Sequence, residues 1–148
     1  MKYRISLSLL ILALAASSTL TAHASGCSNL TIKGAWVNSL HGLIFLPNGA
    51  SLALSGVTKT TYDGLGNSTI LDASGVNGNV PAGWRTGTGT YIVNPDCTGF
   101  ETISFPGQAD IHAQFVVAQS GNKLHFVNID EGISLAGEVE RVDAPKGR

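Results

Sequence analysis

Apolar and polar residues alternate along most of this chain, in short runs broken by Gly, Asn, Asp and Pro. Past the N-terminal segment, no window of about twelve residues keeps apolar positions at i, i+3 and i+4 free of Gly or Pro. A period of two belongs to strands, whose successive side chains point to opposite faces. The pattern predicts ten strand runs: 30–37, 42–46, 51–55, 57–62, 68–73, 87–93, 99–105, 111–118, 123–129 and 133–142. Pro47-Asn48-Gly49, Asp63-Gly64-Leu65-Gly66-Asn67 and Asn94-Pro95-Asp96 read as turns, and residues 74–85 as a Gly-, Asn- and Pro-rich loop.

Turn signals recur at the spacing of an all-β protein, a sandwich or an antiparallel β-barrel built from sequential hairpins. With no helical crossovers, a parallel sheet has no connections to use. Gly87, Gly89 and Gly137 fall inside strand runs, where glycine marks bulges or the tight curvature a closing sheet needs.

The alternation also sorts side chains. Ile111, Ala113, Phe115 and Val117 share one face, with His112, Gln114, Val116 and Ala118 on the other. Leu124, Phe126 and Asn128 oppose His125, Val127 and Ile129. Ile133, Leu135, Gly137, Val139 and Arg141 share a face, leaving Glu138 and Glu140 to solvent. The runs 111–118 and 123–129 are apolar on both faces, which predicts cover on both sides by a lid, a neighbouring subunit or a ligand.

The first residues break the alternation. A basic start, Met1-Lys2-Tyr3-Arg4, precedes an apolar run from Ile5 to Ala16 and then Ala22-His23-Ala24. This is the pattern of a signal peptide cleaved after Ala24, and the apolar run is short for a membrane span. The expected organisation is therefore a signal peptide at 1–24 and a single domain at 25–148, secreted and without an integral membrane span. Removing Lys2 and Arg4 leaves seven Lys and Arg against ten Asp and Glu, a mature charge of −3. A mildly acidic domain with no basic run argues against nucleic acid and anionic membranes as partners. The chain has two cysteines, Cys27 and Cys97, both in the mature part. In an oxidising compartment an isolated pair is most simply one disulfide. Asn29-Leu30-Thr31 and Asn67-Ser68-Thr69 match the glycosylation acceptor pattern, which matters only in a eukaryotic source.

Residues 87–99 read Gly-Thr-Gly-Thr-Tyr-Ile-Val-Asn-Pro-Asp-Cys-Thr-Gly. This segment resembles one found in small secreted microbial proteins of the allene-oxide-cyclase-like, calycin-related barrel type. Tyr62-Asp63-Gly64-Leu65-Gly66-Asn67 is similar to the hairpin that precedes it there, and residues 132–141 resemble their closing strand. The resemblance implies an antiparallel β-barrel of about eight strands with a cavity for one small ligand. It also implies, for the group's enzymes, cofactor-free cyclisation or isomerisation of apolar substrates. It carries no catalytic residue onto this chain.

Candidate chemistry is sparse. His41, His112 and His125 have no HxH or HxxxH spacing, so no metal site is expected. The alternation sets His112 and His125 on an outer face or satisfied in the core; turned inward, either could act as an acid or base near neutral pH. There is no GxSxG elbow and no glycine loop leading into a helix, which argues against a serine hydrolase and a nucleotide site. Asp96, Asp110, Asp130 and Glu131 could offer carboxylates to a site, but most fall at predicted turns, and alternation gives no facing carboxylate pair for a glycosidase.

Aromatic residues with a few polar groups are the usual lining of a small-molecule pocket. Trp36, Trp84, Tyr91, Gln114 and Asn128 are the ligand-binding candidates, with Trp84 and Arg85 at a lid or mouth. Tyr91, His112 and His125 are the catalytic candidates. Phe105, Phe115 and Phe126 read as ordinary core. Two functions remain open: an apolar-ligand barrel acting as a cofactor-free cyclase or isomerase, or a non-catalytic secreted carrier or surface-binding protein.

Overall fold

The computed structural model describes residues 26–118 and 121–142. The expected signal peptide and the polar C-terminal end lie outside the described residues. Eight antiparallel strands follow one another in sequence and close into a barrel. They are β1 (Gly34–Phe45), β2 (Ser51–Tyr62), β3 (Asn67–Val76), β4 (Arg85–Val93), β5 (Thr98–Ser104), β6 (Ile111–Ala118), β7 (Lys123–Asn128) and β8 (Ile133–Arg141). Each strand pairs with its neighbour in sequence, and β1 pairs back on β8 through registers such as Trp36–Arg141 and Gly42–Leu135. No strand of the barrel is left as an edge, which removes the unpaired backbone row that invites aggregation.

Two differences from the sequence expectation have physical causes. Ten runs become eight strands because β1 continues unbroken through residues 38–41 and β2 through Gly56. A side chain at Gly56 would place its Cβ 2.3 Å from the Ser74 Cβ, so glycine here permits close strand approach and does not end the strand. The start of the run 30–37 is instead a 3₁₀ helix, Asn29–Ile32. Its Thr31 N–H donates to the Ser28 carbonyl at 2.8 Å, and the Thr31 hydroxyl accepts the Ser28 N–H at 2.9 Å. This local bonding of a Ser/Thr pair competes with strand pairing.

The 3₁₀ helix plugs one end of the barrel. Ile32 is fully buried and packs with Trp36, Tyr62, Tyr91, Phe115 and Leu124. Arg141 ties the plug to the wall: Nη2 donates to the Thr31 and Gly121 carbonyls, both at 2.7 Å, and the guanidinium lies 4.4 Å over the Trp36 ring. The Cys27–Cys97 disulfide joins the lead-in of the plug to the β4–β5 turn. With a sequence separation of 70 residues, the bridge contributes about 4 kcal/mol on the chain-entropy account.

Candidate ligand-binding site

Eight strands enclose an interior that is either filled by side chains or wide enough for one small ligand. Here the plug and its aromatic cluster fill one end, and the rest is a cavity of about 800 Å³. It opens at the other end, where Asn79, Pro81, Gln108, Asp110 and Glu131 from the strand connections form the rim. Its wall is mainly apolar, with Leu40, Leu54, Ile70, Phe115, Phe126 and Leu135 among the residues facing it.

Two polar clusters interrupt that wall. At the floor, Glu101 on β5 is only 6% exposed. Its Oε2 accepts the Tyr62 hydroxyl and its Oε1 the Ser68 hydroxyl, both at 2.8 Å. Burial raises the Glu101 pKa, against the two hydrogen bonds that favour the carboxylate. Burial, then the nearby Glu101 charge, pushes the Tyr62 phenol well above its ordinary value, so Tyr62 stays a donor. Gly89 on β4 makes room for this group: a Cβ there would meet the Ser68 hydroxyl at 2.5 Å.

Nearer the mouth, Asp72 on β3 is 2% exposed and faces the same cavity. Arg85 at the start of β4 donates to Asp72 Oδ2 from Nε at 2.8 Å and again from Nη2. Ser74 completes the cluster by donating to the same oxygen at 3.0 Å and accepting Arg85 Nη2 at 2.9 Å. The guanidinium stands 4.9 Å over the Phe105 ring. Ser68 and Asp72 are four residues apart on one strand, so the clusters sit about 13 Å apart along it.

At the rim, Asp130 receives the His112 backbone N–H at 2.8 Å and the Asn128 side-chain amide at 2.9 Å, and its Oδ1 lies 2.7 Å from His112 Nδ1. Burial opposes ionisation of Asp130, but these partners outweigh it and hold its pKa below the usual value.

The candidates named from sequence are scattered by this geometry. Asn128 faces the cavity. Trp36 is fully buried in the plugged end. Tyr91 also lies there, its hydroxyl accepting the Gly64 N–H at 2.8 Å. Trp84 is 60% exposed on the 77–84 connection beside the mouth. Gln114 is exposed, since its neighbours Ala113 and Phe115 take the inward positions. His112 and His125 lie in the same outward phase: His112 stacks on Phe100, and His125 Nδ1 is 3.5 Å from Glu138 Oε1. Phe105, Phe115 and Phe126, expected as plain core, line the cavity. Cys27 and Cys97 are bonded as expected.

Arg85, read from the sequence as a mouth residue, holds Asp72 here. Glu101, Ser68 and Asp72 are not marked as site residues in the sequence, though alternation carries a signal for the two acids. Glu101 shares its phase with Ile103 and Phe105, and Asp72 with Ile70. A carboxylate in phase with an apolar face must find partners inside.

No family model, curated protein or solved structure matches this chain.

Proposed function

We propose that this barrel binds one largely apolar small molecule in its interior. The observation that carries the reading is the open-ended cavity of about 800 Å³, apolar in its wall and supplied with buried polar groups at the floor and near the mouth. Pockets of this size and composition are the usual small-molecule sites. The expected leader at 1–24 and the disulfide support secretion, because an oxidising compartment keeps such a bond. The test is a titration with the neutral fluorescent probe N-phenyl-1-naphthylamine. Wild type is expected to bind one equivalent. Ala113→Trp, which fills the cavity from β6, is expected to lose binding while keeping its β-sheet circular dichroism. Equal binding by both proteins contradicts the reading.

Glu101 favours a second reading, cofactor-free isomerisation or cyclisation of the bound molecule, which the likeness to allene-oxide-cyclase-like barrels also suggests. A buried carboxylate facing a bound molecule can take a proton from one carbon and, as the acid so formed, return it to another, ending as the carboxylate it began as. A β,γ-unsaturated ketone of fitting size tests it. Absorbance of the conjugated product should grow with wild type and not with Glu101→Gln; no growth with either protein leaves the barrel a carrier.

A further inference from the structure

Among the described residues, five carboxylates face the cavity: Asp72, Glu101, Asp110, Asp130 and Glu131. One cationic side chain, Arg85, faces it among the described residues. Arg85 spends Nε and Nη2 on Asp72 and Ser74, so its charge is already compensated by a buried carboxylate. Asp130 has the His112 ring beside it, and Glu101, Asp110 and Glu131 are left to set the sign of the field inside. Asp110, Asp130 and Glu131 stand around the mouth, and Glu101 stands at the floor.

Glu101 is the telling member. Its two hydrogen-bond partners, Tyr62 and Ser68, are neutral hydroxyls. None of the ion pairs among the described residues includes it. A buried carboxylate without a cation is costly, and a charged donor offsets that cost. Tyr62 and Phe115 also face the cavity at this end. Aromatic faces beside a carboxylate are the surroundings that favour an organic cation. A narrow cleft lined by one sign of charge concentrates ions of the other sign.

We propose that the occupant is an apolar amine, whose protonated nitrogen pairs with Glu101 at the floor and whose hydrocarbon part lies along the apolar wall. An anionic amphiphile of the same length is disfavoured: it meets the rim acids on entry and Glu101 at the floor. This inference rests on the reading that the cavity binds a small molecule, and names the chemical class it selects.

Decylamine, decanol and decanoate share a chain length and differ in the charge of the head group near neutral pH. Calorimetric titration of the full chain with each ranks them. Decylamine is expected to bind about tenfold or more tighter than decanol, the ratio a charge-assisted hydrogen bond supplies, and decanoate more weakly than decanol. Glu101→Gln keeps the side-chain shape, and should bring decylamine to the level of decanol measured on the same variant. If decanol binds and decylamine gains nothing over it, or decanoate binds tightest, the amine proposal falls and the binding reading stands. If none of the three binds, the binding reading falls and takes the proposal with it. The wild-type ranking does not depend on how the variant folds.

Discussion

Glu101 and Asp72 both place a carboxylate inside the barrel, but each is stabilised differently. Folding raises the Glu101 pKa by burial. The stability tied to its neutral form is therefore fully present below the unfolded-state value, and is lost as pH rises through the folded-state value. Urea unfolding followed as pH rises above the usual carboxylate range should show wild type losing stability relative to Glu101→Gln; parallel curves contradict this. Asp72 relies on Arg85, so Arg85→Leu strands a buried charge and should cost about 3 kcal/mol in the same assay. On the surface, Asp63 behaves in the opposite sense. Hydrogen bonds from the Asn67 side chain, the Asn67 N–H and the Leu65 N–H lower its pKa to about 2. Its contribution is present above the usual carboxylate range and disappears only as pH falls toward that value. NMR titration of the Asp63 carboxyl carbon should give a midpoint well below that of an unfolded peptide. Asp63 was legible as a turn residue, because Asp–Gly turns announce themselves locally. Glu101 was harder to see, because its partners lie on β2 and β3, 39 and 33 residues away in sequence.

At the scale of elements, most strands were readable because one face must be apolar and period two is unmistakable. The run 111–118 coincides with β6. The reading broke where a glycine serves a neighbour, as Gly56 serves Ser74, since only the paired strand reveals the reason. It broke again at the N-terminal plug, whose value lies in the end of the barrel it covers. The plug is held by the disulfide and by Arg141. Replacing both cysteines by serine should lower unfolding stability by about 4 kcal/mol. Arg141→Lys cannot reproduce the fork that reaches Thr31 and Gly121 together, and should cost about 1–3 kcal/mol. Denaturant midpoints check both, and wild-type stability in either variant would mean the plug is held by packing alone.

For the whole molecule, closure turns one face of β6 and β7 inward and leaves the other, also apolar in sequence, on the outer surface, uncovered among the described residues. Phe115, Leu124 and Phe126 face the interior, while Val116 and Val127 are exposed on the outside. Alternation predicts which residues share a face, and closure decides which face encloses a cavity. The curvature that leaves about 800 Å³ open, when the plugged end is packed, is a property of the assembled sheet. That open interior is the central claim, and methyl NMR with added decanol tests it most directly. Methyl signals of Leu54, Ile70 and Ile103, which face the cavity, are expected to shift and saturate at one equivalent. Shifts confined to Val116 and Val127 on the outer surface, or none at any of these positions, would contradict it.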